Sequence, residues 1–193
     1  MEPDHSGSIR LIKQHYPDIV IVGNKQTFGM IEGYYGVTGD RYEVKDESML
    51  DLGHHKLKFY LTPMVHWPET MMTFDETDGI LFAGDAFGCF GTLDGGFLDT
   101  RINLDKYWEE MVRYYSNIVG KYGNPVQKAL ANLGHLPITT ICATHGPVWT
   151  ENIARVVGVY DRLSRYEAEE GVVIAYGSMY GNTEQMAEAI AAS

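Results

Sequence analysis

Gly79-Ile80-Leu81-Phe82-Ala83-Gly84-Asp85-Ala86 decides how the rest of the chain is read. Gly79 to Ala83 is a short apolar run that ends at Gly84 and Asp85, the pattern of a buried strand. An Asp directly behind such a strand is poorly placed for solvation, and a buried carboxylate needs hydrogen-bond partners or a cation. The arrangement recurs on both sides. Leu57-Lys58-Phe59-Tyr60-Leu61 alternates apolar and polar residues and predicts a half-buried strand. It runs into the proline-bounded loop Pro63-Met64-Val65-His66-Trp67-Pro68. Ile138-Thr139-Thr140-Ile141-Cys142 is β-branched and leads into Ala143-Thr144-His145-Gly146. Each strand is thus followed closely by a candidate metal ligand: His66, Asp85 and His145. Loops leaving strand ends are where α/β layers build sites, because such loops are held rigid yet open to substrate.

A fourth string, Glu2-Pro3-Asp4-His5, offers Glu2, Asp4 and His5 from one tight turn. Carboxylate oxygens suit hard ions and imidazoles suit first-row transition metals. Taken alone, Pro3 to Ser6 also reads as a helix N-terminal cap, and His66 as a hydrogen-bonded turn residue. The metal reading rests on all the strings recurring in one chain. His15, His54, His55 and His135 fit it less well and read as structural or surface residues.

Composition narrows the classes. The chain has 193 residues, enough for one good core with a little left over. Its net charge of −11 argues against a nucleic-acid surface and against docking on anionic lipid. No apolar run is long enough to span a membrane, and no signal peptide is read at Met1 to His5. Cys89 and Cys142 are the only cysteines and do not form a CxxC pair. A disulfide framework, a thiolate zinc site and an iron–sulfur cluster all lack their ligands. A reducing cytoplasm is the expected compartment, and any metal must be held by nitrogen and oxygen.

Ser6 is expected to cap a short helix from Ile9 to Gln14, and Asp18 to Gly23 reads as a buried strand. Asn103 to Lys121 predicts a long amphipathic helix. Asn124-Pro125 reads as a helix start, with Gly134 past its end. Thr150 caps another helix running to about Tyr166. Glu167 to Gly171 is an acidic linker, after which the pattern restarts: strand Val172 to Tyr176, loop Gly177 to Asn182, helix Thr183 to Ala192. In Ser178-Met179-Tyr180-Gly181-Asn182-Thr183, hydroxyls at 178 and 183, a glycine and the amides of a helix N-terminus together have the form of a phosphate cradle. The same stretch, alone, is equally an ordinary turn.

The order of these motifs resembles the metallo-β-lactamase fold, with a ligand pattern His-x-(His or Glu)-x-Asp-His followed by His, Asp and His. Glu2, standing where a second His is common, makes the chain resemble the flavodiiron proteins. The resemblance implies an α/β fold: the C-terminal part of an αββα metallo-β-lactamase-like sandwich over residues 1–168, then the first β-loop-α unit of a flavodoxin-like domain over 169–193. On this reading the first His of the motif lies one residue before Met1. Carried over by position, Glu2 and His66 serve one iron, Asp4, His5 and His145 the other, and Asp85 bridges both. His5 is not always a ligand in that family. Ser178, Met179, Tyr180, Gly181, Asn182 and Thr183 correspond to the FMN-phosphate loop.

What the resemblance implies about function is a non-haem diiron oxidoreductase. Reduced FMN supplies electrons, and dioxygen is reduced to water or nitric oxide to nitrous oxide. The implied partners are rubredoxin or a reduced deazaflavin coenzyme as electron donor, and a second subunit in a head-to-tail homodimer. Tyr114 or Tyr115 is placed to offer a proton near the site, or simply to pack in its helix. Two rival readings stand beside it. One is a dizinc hydrolase of the same superfamily, disfavoured by Glu2 and by the flavin loop. The other is an inactive fragment.

Overall fold

The structure is a computed structural model that describes residues 1–93 and 95–193. Its centre is a six-stranded sheet in the order β3-β4-β5-β6-β7-β8. The strands are β3 (Met49–Asp51), β4 (Lys56–Leu61), β5 (Met71–Asp75), β6 (Ile80–Gly84), β7 (Thr140–Ala143) and β8 (Val148–Trp149). β3 to β6 pair antiparallel, β6 and β7 pair parallel, and β8 returns antiparallel. This topology positions the site. β4 is antiparallel to β5, β5 to β6, and β6 is parallel to β7, so β4, β6 and β7 all run in one direction. Their C-terminal ends open on the same edge of the sheet, and His66, Asp85 and His145 follow those ends.

A parallel β6–β7 pair needs a crossover. It is built from α4 (Asp105–Tyr114), a π-helical turn over Tyr115–Val119, a 3-10 turn over Gly120–Tyr122, and α5 (Gly123–Leu133). These pack on one face of the sheet with α6 (Ile153–Ser164). The core there includes Met72, Phe74, Leu81, Ala83, Met111, Ile141, Trp149 and Tyr160. The N-terminal part holds α1 (Pro3–Ser6), α2 (Ile9–His15), α3 (Lys25–Tyr35) and a separate parallel pair, β1 (Ile21–Gly23) with β2 (Arg41–Glu43). No helix among the described residues is long and apolar enough to cross a membrane.

Several expectations are corrected. Ser6 does not cap the helix after it; it is buried inside α1, and its hydroxyl serves that turn instead. The strand expected over 18–23 is only Ile21–Gly23, because its ladder partner is three residues long. The long helix over 103–121 changes to a π-helical turn at Tyr115, and this extra residue per turn lets the adjacent Tyr114 and Tyr115 both be buried. α5 begins at Gly123, so Asn124 makes no cap. The stretch Val172 to Tyr176 forms no strand: Val172 and Val173 are 89% and 93% exposed. A strand needs a neighbour for its amides and carbonyls, and no strand among the described residues pairs with this one. α7 (Asn182–Ala191) follows, close to the expected helix.

Thr150 does not cap α6 either. Asp99, about fifty residues upstream in the chain, instead holds the turn that leads into the helix. Its carboxylate accepts from the Thr150 hydroxyl at 2.6 Å, the Glu151 and Asn152 amides at 3.0 and 2.8 Å, and the Asn152 side-chain amide at 3.0 Å. Burial opposes ionisation of Asp99, but the hydrogen bonds from Thr150 and Asn152 outweigh it and hold the carboxyl below its ordinary range. A depressed carboxyl stabilises the fold above its unfolded pKa, and that contribution is lost as pH falls through the folded one. Asp99→Ala is therefore expected to lower unfolding free energy by about 2–4 kcal/mol at pH 7, since several donors lose their acceptor. Urea titrations at pH 7 and below pH 4 check this. The gap between parent and variant must shrink at the lower pH, and a gap constant with pH would refute the assignment.

Candidate metal centre

Glu2 and Asp4 reach the sheet edge from α1, a single turn that Pro3 starts. Glu2 occupies the N-cap position, yet its side chain makes no capping bond. Pro3 to Ser6 thus do start a helix, as the blander reading of this string has it, while the Glu2 carboxylate is left free of the backbone. Gly84 has φ +61°, the left-handed turn that lets β6 end and presents Asp85 immediately after it.

The structure brings all six sequence candidates together. His66 Nε2 lies 3.1 Å from Asp85 Oδ2 and 3.5 Å from Glu2 Oε2. On the other side, His5 Nε2 lies 3.0 Å and His145 Nε2 3.4 Å from Asp85 Oδ1. Asp4 Oδ2 stands 3.4 Å from His5 Nε2 and 3.3 Å from His145 Nε2. The two imidazole nitrogens of His5 and His145 face each other at 3.1 Å. Two clusters of donors thus meet at one carboxylate: Glu2 and His66 around Oδ2, and Asp4, His5 and His145 around Oδ1.

This donor set fits a pair of transition-metal ions. Asp85 is 8% exposed, and Oδ1 accepts no well-formed hydrogen bond although the His5 ring is close. A buried carboxylate oxygen left without a donor calls for a cation. The ligand atoms of Asp4, His5 and His145, and those of Glu2, His5 and Asp85, lie within 4.8 Å of one another. No thiolate takes part. Cys89 lines the same cavity, but its thiol belongs to none of the close groups of donor atoms among the described residues; in the metal-free chain burial and then the Glu110 charge push it up to about 12.

The cavity over the Asp4–His145 side has a volume of about 550 Å³ and is lined by Glu2, Asp4, Cys89, Phe90, Tyr114 and His145, among others. Tyr114 is 4% exposed, and its ring sits 5.9 Å from that of His145. Burial first, then the Asp85 charge, raises its phenol well above the ordinary value. Tyr114, its phenol protonated across the neutral pH range, is therefore one of the residues lining the cavity. Tyr115 is buried away from that cavity and its hydroxyl has no partner, so of the two only Tyr114 lines it.

The remaining histidines are elsewhere. His55 pairs with Asp75 at 2.7 Å beyond β4's other end, and His135 packs edge-on to Tyr60. Ser178 to Thr183 form one exposed turn: Gly181, at φ +83°, donates its amide to Ser178 Oγ at 3.0 Å, and α7 starts at the next residue. Sequence reasoning missed Asn24 and Glu69. Asn24 follows a strand-ending glycine and precedes a helical run, which is the signature of an N-cap. Glu69 carries no such signal.

A family profile described as "ODP family beta lactamase" matches residues 1–146. The anaerobic nitric oxide reductase flavorubredoxin of Shigella dysenteriae is 34% identical over 98% of this chain and 40% of its own length. The flavodiiron protein of Giardia intestinalis superposes with a TM-score of 0.86 at 27% identity, over 94% of this chain and 46% of that one. Rubredoxin oxygen:oxidoreductase of Desulfovibrio gigas does so with a TM-score of 0.92 at 26% identity, over 99% and 49%. The chain spans less than half the length of each of these proteins. With its sheet edge, its paired donor clusters and its profile match in agreement, this chain belongs to the ODP beta-lactamase family and is similar to the diiron-domain half of the flavodiiron proteins.

Proposed function

We propose that this chain provides the diiron centre of an FMN-dependent reductase of dioxygen or nitric oxide. The observation that carries the reading is Asp85: one buried carboxylate whose two oxygens face two separate sets of nitrogen and oxygen donors. Glu2, His66 and Asp85 would hold one iron, and Asp4, His5, His145 and Asp85 the other; such a pair would supply one-electron redox chemistry toward a diatomic gas. The chain's own residues do the rest. Asp85 fixes the spacing of the two donor sets, and the rigid strand ends keep them aligned. The protonated Tyr114 phenol holds a proton at the wall of the cavity over the Asp4 side.

On this reading residues 1–168 form the metal domain and 169–193 open a flavin domain. Ser178 to Thr183 take the FMN phosphate through the Ser178 and Thr183 hydroxyls and the amides at the start of α7. The electron donor is rubredoxin or a reduced deazaflavin coenzyme, and a head-to-tail homodimer sets one subunit's flavin against the other's irons. Two free cysteines and no disulfide among the described residues suit a reducing cytoplasm.

The test is anaerobic loading of the 193-residue chain with Fe(II) or, separately, Zn(II), then addition of chemically reduced FMN with nitric oxide or dioxygen, against the metal-free chain with the same flavin. Two irons per chain and gas consumption above that of the metal-free chain are expected. Gas consumption no faster than the metal-free control, with hydrolysis of an ester or lactam substrate by the zinc-loaded chain, would overturn the reading in favour of a hydrolase.

A further inference from the structure

α3 supplies none of the six candidate ligands, though its Thr27 lines a cavity with Glu2, His5 and Asp85; both its ends are tied to segments that carry candidate ligands. At its C-terminal end the Tyr35 hydroxyl lies 2.7 Å from Ser6 Oγ. Ser6 is buried, and its Oγ also lies 2.7 Å from the Glu2 carbonyl and 3.1 Å from the Met1 carbonyl. Carbonyls only accept, and Ser6 has a single hydroxyl proton, so that proton goes to the ligand turn. Tyr35 must then be the donor to Ser6.

At its N-terminal end, Asn24 does two things with one amide. Its oxygen caps α3 by accepting from the Gln26 and Thr27 amides at 3.0 Å each. Its nitrogen donates at 2.7 Å to the carbonyl of Glu69, in the loop that carries His66. That loop comes back to the ligand turn through His66, whose Nε2 lies 3.5 Å from Glu2 Oε2. A closed circuit results: Ser6, Tyr35, the length of α3, Asn24, the His66 loop, and back to the ligand turn. An 11-residue helix is a rigid spacer of about 16 Å.

We infer that α3 is a brace that sets the spacing between the Glu2–Asp4–His5 turn and the His66 loop, with Tyr35 and Asn24 as its positioning residues. The brace itself is a property of the metal-free chain. What it positions rests on the diiron reading. Residues that orient metal ligands without touching the metal typically matter ten- to a hundredfold in affinity, on the order of what is expected here.

Two substitutions isolate it. Tyr35→Phe removes only the donor to Ser6. Asn24→Asp keeps the cap oxygen but sets a carboxylate oxygen against the Glu69 carbonyl in place of the amide donor, so it breaks that link without removing the helix cap. Hydrogen exchange of the metal-free chain reads the brace directly. In Tyr35→Phe the Ser6 and Gly7 amides, bonded to the Glu2 and Pro3 carbonyls, should exchange roughly three- to tenfold faster, while β4 to β6 are unchanged. Co(II) titration with visible absorption reads its consequence: both variants should bind about tenfold more weakly, with altered ligand-field bands. Exchange at Ser6 and Gly7 within twofold of the parent overturns the brace. Faster exchange in a chain that takes up no Co(II) at all leaves the brace standing and sinks the diiron reading instead.

Discussion

Asp85→Asn is expected to have opposite effects on the metal-free and the metal-loaded chain. Without metal, Asp85 places a buried charge within 4.8 Å of the Glu2 carboxylate, and its Oδ1 has no hydrogen-bond donor. The amide keeps the shape, removes the charge, and leaves Oδ2 or its replacement against His66. The metal-free variant should therefore gain about 1 kcal/mol, which for a chain of this size raises the melting temperature by roughly 2–4 °C. With Fe(II) the sign reverses. Saturation at a hundred times the dissociation constant stabilises the parent by about 2.7 kcal/mol. The variant cannot bridge, because an amide nitrogen has no lone pair for a metal, and its affinity should fall more than about a hundredfold. Calorimetric scans of both proteins, with and without Fe(II), would show the order of melting temperatures exchanging. An Asn variant that still binds two irons with the parent's affinity is incompatible with Asp85 as the bridge.

How much of this was visible in the sequence depends on where each interaction closes. The candidate ligand strings were legible because their signal is local: an apolar run, a glycine, then a side chain that cannot be left buried alone. β6 with Asp85 and β7 with His145 are the clear instances. The convergence of those strings was legible only as a pattern. Its physical cause is the shared direction of β4, β6 and β7, and that depends on β5. Met71-Met72-Thr73-Phe74-Asp75 has no clean alternation to announce a strand. β3 and β8 are shorter still, and short strands are held by their neighbours more than by their own composition.

Several failures come from partners that residue type does not announce. Thr150 is a sound cap by residue type, but its hydroxyl is held by Asp99 from across a loop. Ser6 is likewise a sound cap, but Tyr35 and the carbonyls of its own turn claim its hydroxyl. Val172 to Tyr176 has strand composition and no ladder partner, so composition alone could not make it a strand. The expected cradle at Ser178 to Thr183 rests on residue types and on the Gly181 turn, and it remains a proposal for the flavin phosphate.

Gly146→Ala is the second large effect, and it acts on one half of the site. Gly146 sits at φ +85°, a conformation that costs an ordinary residue about 1–3 kcal/mol. A Cβ there would also collide with Cys89 Sγ and press on the Cys89 amide, which donates to the His145 carbonyl at 3.3 Å. Overpacking of this kind typically adds about 1–3 kcal/mol. The cheapest relief is to move His145, and only the Asp4–His5–His145 position depends on that ring. The variant should keep the iron held by Glu2 and His66 and lose the other, so iron per chain falls from two toward one. Cys89→Ala separates the causes. It should leave iron content unchanged by itself, because the Cys89 thiol belongs to neither donor group. Combined with Gly146→Ala it removes the collision with Sγ but neither the contact with the Cys89 amide nor the backbone strain, so part of the lost iron returns while part of the stability loss persists. Full recovery of both would assign the whole effect to crowding, and loss of iron from Cys89→Ala alone would make the thiol a ligand and the nitrogen–oxygen donor set wrong.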